Sequence, residues 1–398
     1  MNASTKKTVQ AAQPWPLFAE DEITAATDVL RSGKVNYWTG DACRHFEREY
    51  AAYVGTEYAV AVANGTVALE LALYALGIGN GDEVITTSRT YIASASCIVM
   101  RGAIPIVVDV DRVTQNIAPE AIRAAITSRT RAIVVVHLAG WPCDMDAIMA
   151  IADEFDLKVV EDCAQAHGAT YKGRNVGSLG HAAAFSFCQD KIISTGGEGG
   201  MLTTNDKSVW ERAWAYKDIG RSYDAVYHRQ HPPGFRWLTE SFGTNWRMTE
   251  VQAAIGRLQL AKLDQWREAR KENAAILSAA FAAIPAVRVT QPPADIGHAY
   301  YKYYVFVEAE QLLPDWSRDR LVDELTALGV SCFTGSCSEI YLEKAFDTVP
   351  FRPSQRLMIA RELGETSLMF LVHPTLTAQW MHEVVETIHA VFARATQG

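Results

Sequence analysis

Three features of the chain predict an α/β fold in two unequal parts. β-branched apolar runs alternate with helical patterns through the first two-thirds, and several of those runs are apolar almost throughout. A long helical stretch rich in Ala, Leu, Arg and Glu then leads into a shorter region of mixed strand and helix. Strands apolar on both faces belong in a parallel sheet covered on both sides, and the intervening helices supply the cover. The expectation is a large, doubly wound, mostly parallel sheet followed by a smaller α+β unit.

Residues 1–15 read as a flexible extension, since their lysines precede no apolar run. Tyr58–Val62 (YAVAV) is a short strand, and the apolar spacing from Thr66 to Leu76 then fits a helix. Gly77-Ile78-Gly79-Asn80-Gly81 follows that helix and not a strand, so it is a helix stop and turn, not a dinucleotide fingerprint. Strands follow at Glu83–Thr86 and Ile104–Asp109. Arg131–Leu138 (RAIVVVHL) and Leu157–Glu161 (LKVVE) read as buried parallel strands, with a helix at Met145–Phe155 between them. Residues 220–245, rich in Tyr, His, Pro and Gly, form the longest loop-like segment, a length that in compact domains is usually functional or disordered. The helical pattern Thr249–Ala280 leaves the sheet. Beyond it come a strand at Tyr301–Val307 and helices at Ser317–Leu328 and Thr377–Ala393. The domain boundary is set inside the long helix, giving a large domain at 16–265 and a small one at 266–398.

Composition narrows the function. Charged residues are 21% and hydrophobic residues 49%, as in globular proteins and unlike disordered ones. A net charge of -9, with no basic stripe, argues against nucleic acid. The seven cysteines are scattered with no C-x-x-C pair, which fits neither a disulfide framework nor a zinc site and points to a reducing compartment. No signal-peptide core follows the N-terminal lysines, and no apolar run nears the roughly 18 residues of a membrane helix. A cytoplasmic protein without a metal site is expected.

The most informative residue is Lys191. It stands between the apolar run Phe185-Ser186-Phe187 and the cluster Gly196-Gly197-Glu198-Gly199-Gly200. Burying an ammonium is unfavourable unless its pKa falls or the amine is used covalently, so such a lysine is either salt-bridged or a Schiff-base nucleophile. Asn64-Gly65-Thr66 lies where a strand ends and a helix begins, and is either an ordinary N-cap or a phosphate site. Glu161-Asp162-Cys163-Ala164-Gln165 closes a buried strand, where ligands bind in open α/β sheets. There Asp162 either pairs with a cationic ring nitrogen or caps the next turn. His167 reads as structural, and Cys163 and Cys188 as small apolar packers.

Taken in order, Asn64-Gly65-Thr66, Thr90-Tyr91-Ile92-Ala93-Ser94, the EDCAQA segment from Glu161, SFCQDK ending at Lys191 and the glycine cluster resemble the DegT/DnrJ/EryC1/StrS family. These are pyridoxal-phosphate (PLP) enzymes of the aspartate aminotransferase fold, fold type I, known chiefly as sugar aminotransferases. The resemblance runs from about Phe18 to the C-terminal helix. It includes Phe242–Met248 (FGTNWRM), similar to the family's G-x-N-x-R-M segment, and Leu371-Val372-His373-Pro374.

The resemblance implies that Lys191 holds PLP as a Schiff base and shuttles the proton. Asp162 would pair with the pyridinium nitrogen, Tyr91 would stack on the ring and Gln165 would reach its 3-oxygen. Gly65, Thr66 and Ser186 would bind the phosphate, and Asn245 would reach the phosphate of a neighbouring subunit, so that a homodimer shares its active sites. L-glutamate or glutamine would be the donor, PLP would pass through its pyridoxamine form, and a keto or aldehyde sugar, nucleotide-linked as for most of the family, would accept the amino group.

Tyr37 and Trp38 lie in a segment similar to the family's substrate-facing N-terminal turn. Arg221, Arg229, Arg236 and Arg247 are either carboxylate or phosphate ligands or, for at least two of them, solvated. Glu339 and Tyr341 are either sugar-hydroxyl ligands or a helix cap and a core aromatic. The segment Ser331–Tyr341 lacks the histidine-rich H-x-x-P pattern of many nucleotide-sugar members, which leaves free sugars, sugar acids and cyclitol ketones open as acceptors. Members that dehydrate sugars carry histidine at the lysine position, and Lys191 separates this chain from them. A non-catalytic PLP-binding regulator is the alternative from another class. An NAD-dependent enzyme lacks its glycine fingerprint here.

Overall fold

The computed structural model describes residues 8–396. Its strands are β1 (Tyr58–Val62), β2 (Glu83–Thr87), β3 (Ile104–Val108), β4 (Thr130–Val136), β5 (Lys158–Asp162), β6 (Thr170–Tyr171), β7 (Arg174–Asn175), β8 (Ala182–Ser186), β9 (Gly200–Thr204), β10 (Val287–Val289), β11 (Ile296–Gly297), β12 (Tyr303–Val307), β13 (Cys332–Phe333) and β14 (Ser367–Phe370). Its α-helices are α1 (Glu20–Ser32), α2 (Ala42–Val54), α3 (Gly65–Ala75), α4 (Ala93–Met100), α5 (Pro119–Ala125), α6 (Met145–Phe155), α7 (Lys207–Lys217), α8 (Tyr223–Tyr227), α9 (Glu250–Ala282), α10 (Arg318–Ala327), α11 (Met358–Thr366) and α12 (Ala378–Thr396).

The main sheet has the order β1-β9-β8-β5-β4-β2-β3. Pairings from β3 to β8 are parallel, and β9 alone runs antiparallel to both its neighbours, β8 and β1. The apolar runs explain why both faces are covered. Along β4, Ile133 and Val135 enter the core under α2 and α6, while Ala132 and Val134 enter the one under α3 and α7. Val159 and Val160 of β5 divide in the same way. Each buried Val, Leu or Ile side chain stabilises the sheet by roughly 1.5–3 kcal/mol relative to exposure.

α9 spans 33 residues, about 50 Å at helical rise. Thr249 and Gln252 form a capping box at its start. Its first half buries Ala253, Leu260 and Leu263 in the main core. Its second half buries Ala274, Leu277 and Phe281 against the four-stranded sheet β10-β12-β14-β13.

The extension expected to be flexible makes contacts with the rest of the chain in its described part. Residues 1–7 lie outside the described residues, but from Thr8 onward the segment is held. Val9 sits in the second core and its N–H donates to the Leu328 carbonyl (2.9 Å). The Trp380 indole donates to the Gln10 carbonyl (2.9 Å), and the Trp15 indole to the carbonyl of Lys191 (2.8 Å). Among the described residues no helix is long and apolar enough to cross a membrane.

Candidate active site

The carboxyl ends of β4, β5 and β8 and the N-terminus of α3 open into one cavity of about 980 Å³. Its floor contains Gly65, Thr66, Asp162, Gln165, Ser186 and Lys191, and Tyr91 stands on its lip, 70% exposed. Sequence reading placed these residues in one site, and the fold brings them to one wall.

The Asn64 side chain accepts the Val67 N–H (3.0 Å), which fixes the first turn of α3. The first-turn N–H groups of a helix have no partner within it and lie at the positive end of its dipole. Two glycines let the backbones close around this turn. A Cβ on Gly65 would lie 2.5 Å from the Ser186 Cβ, and one on Gly200 only 2.3 Å from the Asn64 carbonyl oxygen. The glycine cluster therefore serves partly to begin β9 beside α3.

Asp162 ends β5 facing the cavity. Its carboxylate accepts hydrogen bonds from the Ser94 hydroxyl (2.9 Å) and the Ala164 N–H (3.1 Å), and Thr90 bonds Ser94 in turn. Burial pushes the carboxyl above its ordinary pKa, against the pull of those two bonds and of the Lys191 charge. A cation placed beside it would favour the ionised form. Gln165 gives its side-chain oxygen to the Ala139 N–H (2.8 Å).

Glu161 faces the other side of β5. It accepts from the N–H groups of Gly177, Leu179 and Gly180, and lies 3.0 Å from His137 Nε2. His137 Nδ1 accepts the Cys143 N–H, so Nε2 carries the proton that Glu161 receives. The ligand atoms of His137, Glu161 and Cys163 lie within 4.8 Å of one another, and the first two side chains are hydrogen-bonded into this scaffold.

Lys191 is 17% exposed in its side chain, with Nζ 3.9 Å from Asp190 and 4.9 Å from the centre of the Tyr301 ring. His167 is structural, as expected. Its Nε2–H donates to the Ser186 carbonyl and its Nδ1 accepts the Tyr50 hydroxyl, both at 2.8 Å, while burial lowers its pKa to about 3. Burial drives the Cys163 thiol far above its ordinary pKa and also raises that of Cys188, which lines the cavity.

Within the single chain, the expected substrate residues do not line this cavity. Tyr37 is a core residue: its hydroxyl donates to Glu47 (3.0 Å) and accepts the Trp214 indole (3.1 Å), and the Lys217 ammonium lies 3.7 Å from its ring centre. Trp38, Arg221 and Arg247 gather around buried Asp218. The Trp38 indole donates to Asp218 Oδ1 (3.2 Å), Arg247 bonds the same oxygen, and Arg221 stands 3.8 Å from it. Arg229 is bound by Asp224 and Glu240. Arg236 and Asn245 are exposed, and the Asn245 backbone bridges to Asp218.

Tyr341 is a core aromatic, whereas Glu339, at the N-cap position before Ile340–Leu342, makes no side-chain capping bond. Glu339 pairs with Arg356 and accepts the Tyr341 hydroxyl, and buried Tyr341 takes the Leu357 N–H (2.8 Å). Glu339 borders a separate hollow of about 470 Å³, and Gly335–Cys337 line both this hollow and the main cavity.

Sequence reading missed Ser94, Asp190, Tyr301 and Lys302. A lysine inside the aromatic run Tyr300-Tyr301-Lys302-Tyr303-Tyr304 was the available signal.

Known proteins share this fold. The family model for the DegT/DnrJ/EryC1/StrS aminotransferase family matches residues 16–389. A crystal structure of an aminotransferase from Psychrobacter cryohalolentis is 57% identical with a TM-score of 0.95, covering 96% of this chain and 99% of that one. S. venezuelae DesV, solved with a ketimine intermediate, is 35% identical with a TM-score of 0.84, covering 94% of each chain. GDP-perosamine synthase of Escherichia coli O157:H7 is 36% identical over 358 residues, 89% of this chain and 91% of its own. With the match running almost end to end and the cleft built on the same fold, the chain belongs to the DegT/DnrJ/EryC1/StrS aminotransferase family.

Proposed function

We propose that this aminotransferase moves an amino group from L-glutamate, or glutamine, to a keto or aldehyde sugar carried on a nucleotide. The observation that carries the proposal is the meeting of Lys191, Asp162 and the α3 N-terminus in one cavity. PLP fits the residues present. The α3 turn suits its phosphate, with Gly65, Thr66 and Ser186 as ligands, and Asp162 suits its ring nitrogen. Bound there, PLP supplies a carbonyl for imine exchange and an electron-withdrawing ring.

The chain's own residues then divide the work. Asp162 holds a proton on the ring nitrogen. Tyr91 covers a ring face, and Gln165 offers its amide to the ring oxygen. The Lys191 amine removes the proton from the donor's α-carbon and returns a proton during the second half of the cycle, one group acting as base and then acid.

The rest of the reading is the division into two domains within α9 and a shared site in a homodimer. Phe235, Trp237 and Phe242 are large apolar side chains, 79%, 84% and 99% exposed, on the same segment as Asn245. Their exposure supports docking of a second copy, with Asn245 reaching the partner's phosphate site. That the similar Escherichia coli protein is a GDP-perosamine synthase supports a nucleotide-linked acceptor here. The tied-off Glu339 and Tyr341 favour a second reading, in which the acceptor is a free sugar, sugar acid or cyclitol ketone.

Borohydride reduction followed by peptide mass analysis is expected to place the cofactor on Lys191, and Lys191→Ala to lose both this adduct and multiple-turnover transfer. Sustained turnover by that variant would sink the proposal. Mixing the pyridoxamine form with nucleotide-linked keto sugars, a sugar acid and a cyclitol ketone identifies the acceptor. If none is aminated, the alternative of a PLP-binding regulator takes its place.

A further inference from the structure

One cation in the cavity has no part in these roles. Lys302, at the entry to β12, is 17% exposed in its side chain. Its Nζ lies 3.9 Å from Asp190 Oδ2, beyond hydrogen-bond reach, and 4.7 Å from the Tyr301 ring centre. Lys191 mirrors it, 3.9 Å from Asp190 Oδ1 and 4.9 Å from the same ring. The Tyr301 hydroxyl already donates to Asp190 Oδ2, so the one carboxylate between the lysines is shared three ways.

A third cation stands behind them. Arg270 is 1% exposed and donates through Nη1 to the Tyr300 and Tyr301 carbonyls (3.3 Å each). Its Nε and Nη2 have no hydrogen-bond partner among the described residues. Asp190 is the carboxylate that draws both Arg270 and Lys302 toward their charged forms. His373 adds no further cation, since burial lowers its pKa to about 3 and leaves it neutral, and Tyr301, a neutral phenol, adds no anion. Burial also lowers the Lys302 pKa to about 8, with Arg270 and Lys191 adding to the effect and Asp190 opposing it. With Lys191 engaged in the chemistry, Lys302 and Arg270 are two cations facing one half-exposed carboxylate, and that imbalance favours the entry of an anion.

Position selects the kind of anion. A phosphate is already provided for at the α3 N-terminus, whereas Lys302 shares Asp190 and Tyr301 with the reacting lysine. In transamination from an amino acid, the carbon whose proton Lys191 handles bears a carboxylate one bond away. We infer that Lys302 is the carboxylate-binding residue of this cavity, holding a carboxylate of the substrate seated over Lys191. The carboxylate belongs either to the amino donor or to an acid-sugar acceptor, and this choice of ligand rests on the aminotransferase reading above.

The test uses PLP-loaded wild type, Lys302→Met and Lys302→Arg, with unchanged visible spectra showing that the cofactor site is intact. Glutarate, a dicarboxylate with no amine to transfer, is titrated calorimetrically. Loss of a charge-assisted hydrogen bond is expected to weaken glutarate binding roughly ten- to a hundred-fold in Lys302→Met. Lys302→Arg is expected to recover most of it. Equal affinity in wild type and Lys302→Met overturns the inference.

Separate half-reactions identify the source. A raised half-saturation concentration for L-glutamate assigns the donor. A rise for a keto uronic sugar, with none for its neutral counterpart, assigns the acceptor. A fall in maximal rate alone, with both half-saturation concentrations unchanged, places the effect on Lys191 and overturns the inference. If wild type aminates no sugar, the proposed function fails, yet the glutarate titration still decides the role of Lys302.

Discussion

The cavity floor and the cluster around Asp218 are both polar and both hold side chains that sequence reading marked as functional, yet they are built on opposite terms. On the floor, polar groups are anchored from behind and keep free valences in front. Asp162 is held by Ser94 and Ala164, Gln165 by Ala139, and the Ser186 backbone by His167, while all three residues line an open cavity. Around Asp218 the groups are directed at one another. Trp38 and Arg247 converge on one carboxylate oxygen, and Trp38 stacks on Tyr227 with ring centres 6.5 Å apart. A residue type suited to ligands becomes a ligand only where the fold leaves one side of it uncommitted.

The sharpest way to break this contrast is Asp162→Asn. The amide fills the same space but cannot hold charge opposite a ring nitrogen, so kcat is expected to fall roughly 10²- to 10³-fold, the scale of losing one preorganised electrostatic group. The unfolding midpoint should move little. A fall of less than about threefold would place Asp162 with the structural groups instead.

Asp218→Asn probes the other region. Arg247 is 17% exposed and Asp218 fully buried, so removing the carboxylate leaves an uncompensated cation. Breaking such a pair costs about 3 kcal/mol, read as a lower denaturant midpoint at unchanged slope. An unchanged midpoint accompanied by loss of amine transfer would return Arg247 and Trp38 to the substrate.

A further probe, small at any one pH step, concerns His167, which props the floor. Folded, its imidazole stays neutral down to about pH 3, whereas in the unfolded chain it takes a proton below its ordinary value of 6.5. The unfolded state therefore binds more protons between those values. Stability is intact above pH 6.5 and declines as pH falls toward 3, by at most about 1.4 kcal/mol per pH unit for this one group. Thermal melts across that range should show a shallower decline in His167→Gln. Parallel curves would remove His167 from the account.

Legibility in the sequence followed the same division. Tyr58–Val62 and Met145–Phe155 were read to the residue, because a buried apolar strand and an amphipathic helix are patterns of near neighbours. The strand beginning at Gly200 escaped notice because its first residue must lack a side chain to pass Asn64, and glycines read as loop. Helices α1 and α2 also went unread. Tyr37 and Trp38 were taken together for substrate residues, but one points into the core and the other toward Asp218, 180 residues away.

The sequence by itself determined the alternation of strand and helix, the family, and the line of Gly65, Asp162, Ser186 and Lys191 at element ends. Each depends on the order of residues over a few turns of backbone. Tertiary structure alone decided which arginines and tyrosines were already occupied, and that Lys302 shares the Asp190 carboxylate with Lys191 and Tyr301. Charge balance is summed over space, and residues 190, 270 and 302 become neighbours only when α9 and the second sheet close behind the cavity.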